Sequence, residues 1–167
     1  MYLFVFFWTP ALRSTLPSDA SSLPLGLIFA SFMASVMLGS LIFNLIVSTY
    51  QIITHAKLVI LIFSLSSFSL LLPLLFPYST PITFWSFCLF EACVGMYWPS
   101  LGFLKGRFVD DGVRARVYGC LRIPLNVFVV VALSCVKEGD EYRRFVFTTC
   151  GGLLIFASGV FRYFVNE

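Results

Sequence analysis

The chain has 167 residues, of which 59% are hydrophobic and only 11% charged, with a formal net charge of +3 and a mean hydropathy of +0.95. A soluble domain is nearer about half apolar and about a quarter charged, so this composition belongs to a membrane protein. A net charge this small supplies no basic face for nucleic acid. At about 20 residues per spanning helix, the length holds five or six helices with short loops and leaves no room for a soluble catalytic domain.

Residues 1–12, MYLFVFFWTPAL, are apolar but too short to cross a hydrocarbon core about 30 Å thick, and Pro10 is expected to disturb their last turn. A signal peptide needs a basic region before the apolar stretch, and an interfacial helix needs a charged face; both are missing. The segment is therefore predicted to be one end of a longer helix. Residues 13–24, RSTLPSDASSLP, read as a polar connector outside the membrane. Full spans are predicted at about 25–47, 58–76, 82–104, 120–136 and 145–161, in a single membrane domain covering 1–167. The Pro-rich turn at 76–81 is short enough to make the second and third spans antiparallel neighbours. Residues 105–119 form the most charged connector.

Cytoplasmic loops carry the excess of Lys and Arg. Lys57, Lys105, Arg107, Arg114, Arg116, Arg122 and Arg162 fall on one side of this arrangement, and Arg13, Lys137, Arg143 and Arg144 on the other. The first side is predicted to be cytoplasmic, with the tail inside and the 13–24 connector outside.

Glu91 lies near the middle of the predicted third span, where a carboxylate costs roughly 2.5 to 3.5 kcal/mol on insertion scales unless it faces a cavity or a partner. Gly95, Trp98 and Gly102 follow on the same helical face, and Pro99 is expected to break the helix and widen a site there. The alternative is a packing carboxyl that is protonated or hydrogen-bonded. Arg122 opens the predicted fourth span, with Pro124 in its first turn and Asn126 one turn further on the same face. A guanidinium at a helix N-terminus suits an oxyanion, although an Arg snorkelling to lipid phosphates has the same sequence signature. Depth argues against a direct Glu91 to Arg122 pair. Asn44 is a third polar group within a span, and Ser31, Ser35 and Gly39 before it form a small-residue face suited to close helix packing.

His55 has no partner at metal-ligand spacing, so no metal site is expected. The cysteines Cys88, Cys93, Cys120, Cys135 and Cys150 form no CxxC pair and read as reduced residues in helix or lipid contacts. Hydrolase, P-loop and zinc-protease motifs are absent, which argues against an enzyme, and no cofactor is expected. Ser64, Ser66, Ser67 and Ser69 have no base near them in sequence and read as hydrogen bonds between helices.

FFWTPAL at 6–12 and MYWPSLG at 96–102 share a gapped pattern three helices apart, the repeat period within each half of a major facilitator transporter. The second and fifth full spans carry no ionisable residue, as lipid-facing peripheral helices would. The stretch FEACVGMYWPSLGFLKGRFVDDGVRARVYGCLRIPLNVFVV, residues 90–130, resembles the molybdate-anion transporter family of the major facilitator superfamily, as does residues 1–12 followed by GLIFASFMASVMLGS at 26–40. The resemblance implies an all-α membrane protein equivalent to the C-terminal six-helix half of such a transporter: one partial helix, then five full ones. It implies movement of molybdate or a similar oxyanion across the plasma membrane, with Glu91, Tyr97 and Pro99 lining or shaping helix ten and Arg122, Pro124 and Asn126 opening helix eleven. Such transporters bind substrate between two halves, so the expected partners, besides the bilayer, are a missing N-terminal half or another copy. A truncated form is one expectation; a non-transporting membrane protein, either inactive remnant or helical interaction partner, is the competing one.

The charge asymmetry makes the topology testable. An N-glycosylation acceptor placed within residues 13–24 is expected to be modified in a translocation assay, and one placed within 105–119 is not; the opposite result reverses the orientation.

Overall fold

The computed structural model describes residues 1–16, 23–49, 55–108, 112–134 and 140–166. They form six helices in chain order: α1 (Tyr2–Arg13), α2 (Leu25–Thr49), α3 (His55–Leu75), α4 (Thr80–Phe108), α5 (Arg114–Ser134) and α6 (Asp140–Asn166). Among the described residues, α2 to α6 are each long and apolar enough to cross a membrane. At 1.5 Å per residue the 12-residue α1 reaches about 18 Å. The expected architecture, five full helices and a short leading one, is what the chain adopts.

Several helices extend beyond the apolar stretches that mark them. α4 continues through Lys105 to Phe108, α5 starts at Arg114, and α6 runs from Asp140 to Asn166. Hydropathy marks the part of a helix that suits lipid, whereas backbone hydrogen bonding continues into the interface until a turn stops it. Pro10, Pro73, Pro99 and Pro124 all lie inside helices. The expected break at Pro99 is therefore not made: α4 is assigned as one helix across it, and one residue later the Ser100 hydroxyl donates to the Met96 carbonyl at 2.8 Å. Pro10 likewise does not end α1.

α2 and α4 approach backbone to backbone. A Cβ built on Gly39 would collide with the carbonyl of Ala92, and one built on Gly95 would collide with the carbonyl of Val36. The two contacts are reciprocal, each glycine seating the carbonyl of the opposite helix. This is the close crossing that small residues permit in lipid, where dispersion and Cα–H···O contacts replace the hydrophobic effect between helices. Gly39 thus has the packing role that its small-residue face suggested, and Gly95 shares it.

Serines carry the next joints. The Ser67 hydroxyl donates to the Gly151 carbonyl at 2.8 Å, joining α3 to α6, and Ser69 donates to the Ser86 carbonyl at 2.6 Å, joining α3 to α4. The Ser64 and Ser158 hydroxyls meet at 3.0 Å. The serine run therefore does bridge helices. α3 is less peripheral than its lack of charge suggested, because Leu58, Val59, Ile62 and Leu70 are buried while Leu61, Phe68 and Leu75 face outward.

α1 is held differently, by rings. Its buried residues Leu3, Phe4, Phe7, Trp8, Ala11 and Leu12 recur at three and four positions and form one face. Phe4 meets Phe87 edge to face at 5.1 Å, and Trp8 meets Phe32 at 5.3 Å. Such pairs add roughly 0.5 to 1.5 kcal/mol each beyond area burial. α5 is the least supported helix: no described residue of it is buried. The Tyr142 hydroxyl donates to the Ala132 carbonyl at 2.8 Å near its end, and the Lys105 ammonium lies 5.1 Å from the Tyr118 ring near its start.

The crossing predicts a sharp contrast between glycines of one helix. Gly95→Leu is expected to cost about 1 to 3 kcal/mol or more, because the obstacle is a backbone carbonyl that cannot rotate away. Gly102→Leu, with open space around Gly102, is expected to stay within about 0.5 kcal/mol. Thermal unfolding of the purified chain in detergent reads both, and equal melting temperatures would contradict the close approach.

Candidate functional site

Glu91 is 2% exposed, and its Oε2 atom has no hydrogen-bond partner. Its position on α4 explains the burial. Phe87 and Phe90 on one side pack against Phe4 of α1, at 5.1 and 4.8 Å between ring centroids. On the other side Ala92 and Gly95 meet α2 at the reciprocal glycine contacts. Glu91 lies between these two seams, so α1 and α2 close over it together.

The other candidates are not at this point. Tyr97 is half-buried two turns further on, its ring 5.8 Å from Phe63 and 6.0 Å from the exposed Trp98. Gly95 is filled by the backbone of α2, and Gly102 is exposed. The expected common face of Glu91, Gly95, Trp98 and Gly102 therefore does not form one site: part of it is packed and part faces out. Asn44, five residues before the end of α2, is exposed between the exposed Leu41 and Leu45.

Arg122, Pro124 and Asn126 are all exposed on α5, next to exposed Ile123, Leu125 and Val127. Because α5 begins at Arg114, Arg122 is eight residues into the helix, about 12 Å from its start. The expected placement of Arg122 at a helix N-terminus is thus corrected, and with it the dipole argument, since that field falls off within the first turn. The Lys105 to Tyr118 contact gives the relative depth of α4 and α5. Glu91 lies 14 residues from Lys105 and Arg122 four residues from Tyr118, a difference of about 15 Å along the bundle. The two charged residues are at different levels.

Sequence reasoning missed a cavity. A space of about 380 Å³ opens among α1, α3, α4, α5 and α6, with Ile62, Tyr97, Phe128 and Cys150 in its wall. Thr83, 1% exposed, also has an unpartnered Oγ1. Cys88, Cys93, Cys120 and Cys150 are free thiols, and no three His, Cys, Asp or Glu side chains converge on a metal position among the described residues. Cys150 had a faint signal, a polarisable residue beside the Gly151–Gly152 pair in an apolar span, but nothing in sequence links it to Tyr97.

A bundle of membrane-crossing helices, joined through small residues and holding a buried carboxyl at mid-span, has the build of a polytopic membrane protein. The family described as sugar transporters with 12 transmembrane spans matches residues 1–93, and the chain belongs to that family of the major facilitator superfamily. The molybdate-anion transporters of Takifugu rubripes and Danio rerio are 34% and 31% identical to it over 170 and 173 residues, and that of Xenopus tropicalis 28% over 166. Each alignment covers 94% of this chain and 34 to 35% of the relative. The chain thus spans about a third of the length of the curated relatives it matches. No solved structure matches it.

Since Oε2 of Glu91 is buried without a hydrogen bond, replacing the carboxyl by an apolar group of similar length should cost the fold little. Glu91→Met, which keeps the length and removes the buried polar group, is expected to melt at the same temperature as the parent or higher, by an equivalent of up to about 2 kcal/mol. A lower melting temperature would reveal a partner for the carboxyl in the membrane.

Proposed function

We propose that the chain takes part in transmembrane movement of molybdate or a similar oxyanion, as the C-terminal portion of a major facilitator transporter in the plasma membrane. The observation that carries this reading is the pair Arg122 and Asn126, one turn apart on an uncovered and otherwise apolar face of α5, in a chain aligned along 94% of its length with proteins named for molybdate. A guanidinium facing lipid in a span is costly. The same group facing a water-filled cleft between two halves gives planar, bidentate donors to a tetrahedral oxyanion. Asn126 adds an amide to that face, and Asn44 on α2 would add another from across the cleft. Glu91, buried behind α1 and α2, serves as the group whose proton is exchanged when those seams open. Tyr97 and the packed Gly95 shape the inner half of α4.

The test restores the second half. The chain is joined to the preceding portion of the Danio rerio molybdate-anion transporter and expressed in cells that lack molybdate uptake. Arg122→Ala is expected to reduce uptake about 10- to 100-fold at matched surface expression, as loss of a charge-assisted contact does, and Arg122→Lys to restore part of it. Glu91→Gln is expected to fold and bind but lose the pH dependence of uptake. Uptake by Arg122→Ala equal to the parent would leave Arg122 as a lipid-anchoring residue. No uptake by any joined form would favour the non-transporting helical protein.

A further inference from the structure

The first turn of α6 holds two other helices at once. The Tyr142 hydroxyl donates to the Ala132 carbonyl of α5 at 2.8 Å, and the Tyr142 ring lies 6.1 Å from that of Phe7 on α1. The next residue, Arg143, donates from Nη1 to the Pro10 carbonyl of α1 at 3.1 Å. Neighbouring residues of a helix project about 100° apart, so this single turn reaches α5 with one side chain and α1 with the following one.

Both acceptors sit where a helix can use a donor. Ala132 and Pro10 belong to the last turns of α5 and α1, and the final four carbonyls of a helix have no partner within it. The Pro10 carbonyl already accepts the Ser14 N–H at 3.1 Å, so Arg143 supplies a second bond, and its charge suits the negative end of the α1 dipole. A separate hydroxyl pair, Thr15 and Thr80 at 3.0 Å, ties the end of α1 to the start of α4. That tie does not involve α5.

The grip also acts back on α6. The first four N–H groups of a helix lack partners within it, so the opening turn is the one most ready to fray. Here that turn is held in place by the two helices it grips. Losing either contact loosens the turn and thereby weakens the other contact.

We propose that Tyr142 and Arg143 form a clasp through which α1 and α5 let go of α6 together, at the end of the bundle where α1 and α5 finish and α6 begins. α1 covers Glu91, and α5 carries Arg122 and Asn126 on its exposed face. Release of the clasp therefore loosens the cover over the carboxyl and the helix bearing the polar pair in one step. The inference goes beyond oxyanion movement and stands whatever is carried.

The experiment is hydrogen exchange of the chain in lipid nanodiscs, read by mass spectrometry over 7–13 of α1 and 128–134 of α5. The α2–α4 crossing, at 36–39 and 92–95, serves as internal reference. Tyr142→Phe removes the bond to α5 and keeps the ring on Phe7, whereas Arg143→Met removes the bond to α1 and keeps an apolar stem. Each change is expected to speed exchange at both helix ends about fivefold, as loss of one hydrogen bond does, with the reference unchanged. Arg143→Lys, which retains a donor, is expected to restore part of the protection. The double variant is expected to exchange about as fast as either single one, because the two contacts are lost as a unit. If Tyr142→Phe speeds only 128–134 and Arg143→Met only 7–13, the contacts are independent and the clasp is overturned. Unchanged exchange at both ends overturns it as well, and so does a rise of equal size at the crossing, which marks general loosening.

Discussion

Two glycines set the distance between α2 and α4, and much of the structure follows from that distance. With the carbonyl of Ala92 lodged on Gly39 and that of Val36 on Gly95, the two helices cannot slide or roll without lifting a backbone oxygen from its seat. In lipid, where apolar surfaces gain little by meeting each other, such a fit is one of the few strong reasons for two helices to adopt one geometry. α4, fixed in this way, presents Phe87 and Phe90 to α1 and Ser86 to α3.

Glu91 is the polar residue that this geometry encloses. On an isolated helix it would turn toward water or toward the headgroups. Here it follows from its neighbours: the residue before it packs a ring against α1, and the residue after it is seated on α2. The crossing and the buried carboxyl are therefore parts of one arrangement. Any movement that separates α2 from α4 would also uncover Glu91.

The membrane class, the number of full helices and the shortness of the leading helix were legible in the sequence, because apolar length is a direct consequence of bilayer thickness. The roles of Gly39 and the serine run were legible too, since small and hydroxylated residues have few other uses in a span. The place of Arg122 within its helix was not. Hydropathy locates the lipid-compatible stretch, and α5 begins six residues before the point where that reading put it. The fate of Gly95 was also hidden, because a glycine that clears space for a ligand and one that admits a neighbouring backbone look alike along a chain. The cavity could not be read at all: its walls are drawn from residues as far apart as Met1 and Leu154, and no local pattern relates them.

α5 has a mechanical character that its chemistry alone does not suggest. It is fastened near one end by the Tyr142 hydroxyl on Ala132 and near the other by the cation–π contact between Lys105 and Tyr118, while the space beside Phe128 leaves its middle without support. A rod pinned at two points deflects most between them. Pro124 sits at that midpoint and, lacking an N–H, removes a backbone hydrogen bond where the bending moment is greatest. The weakened stretch of α5 therefore runs from Cys120 to Pro124, so a bend there would tilt Arg122 while both ends of the helix stay where they are.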